Sequence, residues 1–560
     1  MIVADYIANY LKKKKIKNIF MLTGYGAMYL NDSIKKAKIR YYATRNEATA
    51  PIMAASYGRI KNNIGVACVT AGPGATNAIP GLAEAFVDSS PIVVISGQVE
   101  KKHTTISTKS KTIRTFGTAE INIEPIVKNL TKYSKTILDA YDVKYILDKA
   151  FYLSRSGRPG PVWIDVPLDI QRQDIEISKL KSFKPKIFID KNNYSNFGNI
   201  IKLIKKSKKP IVVCGQGVKF SNTFAKIYNN ISLKYNIPIL FTRAAQDLCS
   251  HKKKLILGQA GIKGTAYCKK IMTQCDLVIN FGSRLAPQFM GHNFEAFNKA
   301  KIISVDIEKD ELNKKAAKIG IKLNADLKNF IPKFLKELHK TKKLNFKNWG
   351  DYCDKLKLEK IKYVSYKKNP IDLYYFMSQL DKHSSKKHAL ITDAGSNYYI
   401  GGQVWHFEKG QKEITSITNA AMGLSVPLAI GAAVADKKRQ ILAVTGDGSL
   451  ELNIQELKTM SHYNLNVKLF VINNGGYVSM HNWADNFFEG RQVDNTKDTG
   501  EGTLHFRKVA EAFDLTYYRI YDFKDIKKNL KEIMSNNKPM FIEVITNNKQ
   551  VIFDAFKDKG

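Results

Sequence analysis

From Asn18 almost to its end, the chain alternates short runs of β-branched and aromatic residues with longer amphipathic stretches. That pattern restricts it to parallel α/β sheets. The runs NIFMLT, IRYYAT, GVACVT and PIVVIS open a first block that closes near PVWIDVP, Pro161 to Pro167. A polar, Lys/Asn-rich segment at about residues 172–196 reads as a linker. A second block runs from PIVVCGQGV through DLVINFGSR to KIISVDIEKDEL, and a charged stretch at about 335–366 separates it from a third. The third block holds ALITDAG, ILAVTGDGS, VKLFVINNGG and PMFIEVI. The expected fold is α/β: three doubly wound parallel-sheet domains over residues 1–172, 190–335 and 366–548.

Composition narrows the class. Of the 560 residues, 44% are hydrophobic and 25% charged, the balance of a folded protein with a large core. Cys68, Cys214, Cys249, Cys268, Cys275 and Cys353 are scattered, with no C-x-x-C and no adjacent histidine. They suggest neither a zinc site nor a disulfide framework and fit a reducing compartment. The N-terminus lacks an apolar stretch of signal-peptide length. The longest small-apolar run, Ala420 to Ala435, is too short to span a bilayer. A cytoplasmic protein without a membrane segment is therefore expected. The net charge of +39, from 89 basic and 50 acidic residues, is spread along the whole chain as short lysine runs. With no nucleic-acid-binding pattern near them, these lysines read as a solvated surface, and no nucleic-acid partner is expected.

The chemistry concentrates in Gly446-Asp447-Gly448-Ser449 and the later Asn473-Asn474-Gly475-Gly476. Each motif follows a buried-type strand, and a right-handed crossover brings two such strand ends to one sheet edge. A carboxylate and an amide oxygen can then converge on one hard cation. Magnesium takes its remaining oxygens from phosphate and water. Glycines after Asp447 suggest free N–H groups for a diphosphate. GDG alone is also an ordinary turn; the strand-helix-strand setting and the paired Asn474 give it weight.

With these residues in place, the chain resembles the thiamine-diphosphate enzymes of the acetolactate synthase and pyruvate decarboxylase superfamily along nearly its whole length. The resemblance names the three domains: pyrimidine-binding (PYR), central and diphosphate-binding (PP). It implies that Asp447, Asn474 and the Gly476 carbonyl hold Mg2+, and that Gly446, Gly448 and Ser449 lie along the cofactor. Met422 matches the bulky residue that bends the cofactor, although a core methionine in an apolar helix is an equally natural reading. In TDAGSNYY, residues Gly395, Ser396 and Asn397 match the loop at the other end of the diphosphate. Glu47, in YYATRNEATAPIMAASYGRI, matches the carboxylate that exchanges a proton with N1′ of the aminopyrimidine from the neighbouring subunit. Burial would suit that role. A site shared between subunits implies a homodimer or homotetramer.

Within the superfamily, HNWADNFFEGR places Trp483 at an active-site tryptophan of acetolactate synthases. TGYGAMYLNDS, TIRTFGTAEINIEPIVKNLTKY and NNGGYVSMHNWADNFFEGR resemble the branch associated with nucleotide-sugar and surface-polysaccharide synthesis. Asn46-Glu47-Ala48 and Thr118-Ala119-Glu120 depart from the His-Glu-Gln and Phe-Gln-Glu or Val-Gln-Glu of many relatives. Gln98 and Arg114 are candidate substrate residues beside Trp483. CGQGV, GSR and VDIE match places where relatives hold FAD or another adenine nucleotide. SRLAPQF, however, lacks the acidic pair that follows the equivalent Arg, which favours a central domain with a purely structural role over one that binds FAD. The expected activity is decarboxylation of a pyruvate-like 2-oxo acid with carboligation to a carbonyl acceptor, a nucleotide-linked keto-sugar being favoured. Acetolactate synthesis, simple decarboxylation, and a non-catalytic cofactor-binding subunit are the alternatives.

Overall fold

The computed structural model describes residues 1–110, 112–185, 197–291, 295–315, 317–341, 344–358, 366–502 and 504–553, with the side chain of residue 295 left aside. The expected start of the central domain at residue 190 lies outside them.

The first sheet contains β1 (Asn18–Met21), β2 (Arg40–Ala43), β3 (Gly65–Val69), β4 (Ile92–Gln98), β5 (Tyr133–Thr136) and β6 (Val162–Pro167). The second contains β7 (Pro210–Cys214), β8 (Ile239–Phe241), β9 (Ile256–Gln259), β10 (Leu277–Phe281), β11 (Lys301–Asp306) and β12 (Ile319–Asn324). The third contains β13 (His388–Thr392), β14 (Lys412–Thr415), β15 (Gln440–Gly446), β16 (Val467–Asn473), β17 (Thr516–Ile520) and β18 (Met540–Ile545). Each is a six-stranded parallel sheet, as the alternation implies. Strands β3, β4, β6, β7 and β10 are buried at every position. Helices on both faces of a parallel sheet make its inner strands continuous apolar runs rather than alternating ones.

Strand order separates the three sheets into two kinds. The first runs β2-β1-β3-β4-β6-β5 and the third β14-β13-β15-β16-β18-β17, which is the same order. The second runs β12-β11-β10-β7-β8-β9, the order of dinucleotide-binding sheets read from the other side. In each, the order reverses beside the domain's first strand: at β1 and β3, β7 and β10, β13 and β15. Ligands of open α/β sheets bind in the crevice beyond the carboxyl ends of such a pair.

The first and third domains share a core. Met53 and Ala54, from the Thr49–Lys61 helix, belong to one apolar cluster with Leu428, Ile430 and Ala432 of the Ser425–Ala435 helix. Both helices are rich in small residues and approach almost backbone to backbone. Ser56 donates to the Leu428 carbonyl at 2.6 Å, and a Cβ on Gly431 would lie 2.2 Å from the Met53 carbonyl oxygen. Gly431→Val is therefore expected to lower stability by roughly 2–3 kcal/mol through overpacking. The check is a urea midpoint well below that of the wild type.

Candidate active site

Three loops meet at the C-terminal edge of the third sheet, after β13, β15 and β16. Asp447, just beyond β15, is almost wholly buried. Its Oδ2 accepts the backbone N–H groups of Asn474 at 3.0 Å, Gly475 at 2.9 Å and Gly476 at 3.1 Å. Burial pushes its carboxyl up from the usual range, and these N–H groups pull against that shift. The glycines allow the enclosure: Gly476 has φ 128°, and a Cβ on Gly448 would lie 2.3 Å from the Tyr477 ring. Asp447 and Asn474 are thus brought together. The Gly448 N–H is not free for a diphosphate, however. It donates to Asp447 Oδ1 at 3.0 Å, because the carboxylate turns back onto its own loop.

Behind these loops stands Asp393, fully buried at the end of β13. Its Oδ2 accepts Ser449 Oγ at 2.7 Å, Thr445 Oγ1 at 2.9 Å and Ser425 N at 3.3 Å, and Oδ1 accepts Asn397 Nδ2 at 3.2 Å. Burial pushes this carboxyl up to about 6 against the pull of those donors. Asn397 Nδ2 also reaches the Val444 carbonyl, and Ser449 Oγ accepts the Gly423 N–H at 2.9 Å. The side chains of Asn397 and Ser449 therefore tie the loops together rather than facing a ligand. Gly395 and Ser396 sit at the start of the Ser396–Val404 helix, and Gly395 faces Ser479. Met422 is neither in the apolar helix nor in the core. It is half-buried in a turn, because Gly423, at φ 76°, delays the helix until Ser425.

Glu47 lies at the corresponding edge of the first sheet, in the turn before the Thr49–Lys61 helix. The half-buried carboxylate accepts Asn77 Nδ2 at 2.7 Å, and its Oε1 would be 3.4 Å from a Cβ on Gly74. Among the described residues, its hydrogen bonds include none from the Asp447 loops of the same chain. The turn is held from the third domain: buried Glu456 accepts Arg45 N at 2.8 Å, Asn46 N at 3.1 Å and Thr49 Oγ1 at 2.8 Å. Nothing in the sequence around Glu456 marks that role, since its partners lie some four hundred residues away.

The candidate substrate residues separate. Gln98 is buried, and its amide is occupied by the Ile121 carbonyl at 2.8 Å, Asp165 Oδ2 at 3.3 Å and the Val99 N–H at 3.1 Å. It is part of the interior, because the end of β4 is covered by the 112–122 loop. Arg114 is exposed on that loop. The loop is anchored by buried Glu120, which accepts Thr105 N, Thr105 Oγ1 and Phe116 N, and it packs closely on Gly72. Trp483 is 55% exposed, packs at a tilt against the Phe487 ring and lines a cavity of about 1520 Å³. That cavity reaches Gly217 and Gly282, in the crevice between β7 and β10, and extends to Gly395 and Tyr398 of the third domain.

The residues around Asp447 fit a divalent cation. Asn474 Oδ1 is buried without a hydrogen-bond partner, as are both carboxylate oxygens of Glu501. Burial, then the charge of Asp447, pushes the Glu501 carboxyl up to about 7. Unpaired buried oxygens are costly unless something outside the chain meets them. No group of three His, Cys, Asp or Glu side chains is placed to hold a metal among the described residues. The oxygens present, one carboxylate beside an amide and a second carboxylate, are of the kind a hard divalent cation takes when phosphate and water complete its shell.

Comparison with known proteins agrees with this layout. Profiles described as the N-terminal, central and C-terminal domains of thiamine pyrophosphate enzymes match residues 1–120, 198–337 and 393–544. The acetolactate synthase large subunit of Cyanidium caldarium is 31% identical over 553 residues, covering 96% of this chain and 91% of the relative. That of Lactococcus lactis subsp. lactis is 28% identical, covering 96% and 91%. Acetolactate synthase 2, chloroplastic, of Nicotiana tabacum is 29% identical, covering 99% and 84%. No helix among the described residues is long and apolar enough to cross a membrane. With all three domain types present in order, and full-length likeness to these synthases, the chain belongs to the thiamine pyrophosphate enzymes, as an acetolactate synthase-like member.

Proposed function

We propose that this enzyme decarboxylates a pyruvate-like 2-oxo acid and joins the remaining fragment to a carbonyl acceptor, with a nucleotide-linked keto-sugar as preferred acceptor. The observation that carries the cofactor reading is the buried, partnerless Asn474 Oδ1 beside the Asp447 carboxylate. Asp447, Asn474 and the Gly476 carbonyl would hold Mg2+, Gly395 and Ser396 would meet the diphosphate from the other strand end, and Met422 would pack against the cofactor. Bound thiamine diphosphate supplies the carbon nucleophile and the electron sink for decarboxylation. Glu47 exchanges a proton at N1′, and Glu456 fixes the turn that carries it. Glu47 belongs to the site of the partner subunit, which makes a homodimer the smallest active form.

The acceptor reading rests on the large cavity. It joins the β7/β10 crevice, the kind of place where sheets of this order hold nucleotides, to Trp483 near the third-sheet loops. Arg59, Lys263 and Arg284 line it, as suits a diphosphate-bearing ligand. FAD is the competing occupant, and the names of the relatives favour acetolactate synthesis as the second reading. The test is product mass spectrometry and steady-state kinetics with pyruvate, with and without a nucleotide-linked 4-keto-sugar. The expected result is that the keto-sugar diverts carbon from acetolactate, and that Arg284→Ala, in the cavity wall, raises its KM more than that of pyruvate. Acetolactate formation that excess keto-sugar leaves unchanged overturns the acceptor assignment. Absence of any pyruvate turnover favours a non-catalytic, cofactor-binding role.

A further inference from the structure

Glu501 belongs to none of the motifs that identify the cofactor site, yet it sits on them. Its loop is drawn in by a bridge between Gly476 and Thr496 and by the Glu501 N–H, which donates to the Thr496 carbonyl at 3.1 Å. The carboxylate then spans the two glycines that enclose Asp447. Oε1 would be 2.7 Å from a Cβ on Gly448, and Oε2 would be 3.1 Å from one on Gly476. Both oxygens are buried without a partner, as is the neighbouring Asn474 Oδ1. The charges acting on Glu501 most strongly are those of Asp447, Glu451 and Asp494, all negative. Asp447 is met by backbone N–H groups, but the Glu501 carboxylate and the Asn474 amide oxygen beside it have no donor, an arrangement that a hard divalent cation satisfies.

We propose that Glu501 is a second carboxylate ligand of the divalent cation, beyond the Asp447, Asn474 and Gly476 set. This rests on the cofactor reading above. A carboxylate added to the site raises cation affinity before any diphosphate arrives. The protein therefore takes up its cation first, and the cofactor then finds the cation in place.

The experiment titrates the full-length apoprotein with Mn2+ alone, following loss of the free Mn2+ electron-spin-resonance signal, for the wild type, Glu501→Gln and Glu501→Ala. Expected are one tight site per wild-type chain and a Kd at least tenfold higher in both variants. Circular dichroism matching the wild type shows that each variant is folded. The glutamine keeps the shape, so its loss reports the charge. Equal Mn2+ affinity in wild type and Glu501→Gln overturns the role of Glu501 and leaves the cofactor reading standing. A wild type that binds no Mn2+ even with thiamine diphosphate present overturns both.

Discussion

Asp447→Ala binds thiamine diphosphate at least about a hundredfold more weakly than the wild type in saturating Mg2+, while the chain stays folded. The carboxylate does two things at once: it supplies negative charge to the cation, and it gathers the Asn474, Gly475 and Gly476 N–H groups into one turn. Charge-assisted hydrogen bonds contribute about 1.5–3 kcal/mol each. Loss of the carboxylate's contact to the cation together with the loop order it maintains, about 3 kcal/mol in sum, weakens binding about a hundredfold. The fold is retained because the freed N–H groups belong to the loop beyond β16, outside the ladder of the sheet, and the Asp393 network behind them is untouched. Asp447→Asn keeps an acceptor oxygen and should lose less. Isothermal calorimetry decides the matter, and wild-type affinity in the alanine variant would sink the assignment of this pocket.

Glu47→Gln should bind the cofactor nearly as well as the wild type and activate it slowly. Glutamine preserves an acceptor for Asn77 and the size of the side chain, so the turn held by Glu456 has no reason to move. What disappears is the exchangeable proton, and proton transfer by a positioned side chain is worth about 10²–10⁴ in rate. Hydrogen–deuterium exchange at C2 of the bound cofactor reads this step without any substrate. Exchange at the wild-type rate would return Glu47 to an ordinary helix-end charge. The same variant tests the shared site: mixed with Asp447→Ala, it should recover activity through hybrid dimers, each with one intact site. Hybrids that form without activity would place both residues in a single chain's site.

How much of this was readable beforehand depended on the distance over which each feature is encoded. The strands were legible because a strand covered on both faces is a continuous apolar run, as in GVACV and PIVVC. Asp447 and Asn474 were legible because each directly follows such a strand, so adjacency of β15 and β16 brings them together. Glu501 was not, since its loop reaches the site only through a tertiary bridge and carries no spacing rule. Gln98 was singled out through the likeness of ISGQV to the family's first domain, which carries no information on what covers the end of the strand. Only the fold reveals that the 112–122 loop closes over it. Met422 was misplaced for another reason: an unbroken apolar run has no periodicity to mark its first turn, and a left-handed glycine decided where the helix began. Asn397 and Ser449 stand in loops that meet near Asp447, but whether a polar side chain faces inward or outward is set by partners such as Asp393.

The contact between the Thr49–Lys61 and Ser425–Ala435 helices has a consequence for how far such a protein can drift. Where two helices cross with a glycine against a carbonyl, their separation is set by main chain, which mutation does not alter. The side chains around the crossing can be exchanged for others of similar volume without moving one half of the enzyme relative to the other. Placement of the two halves therefore depends on a few positions that must stay small, and most of the remaining sequence is released from that duty. A lineage built this way can rewrite its surfaces and its acceptor pocket while the distance between its working parts is inherited unchanged.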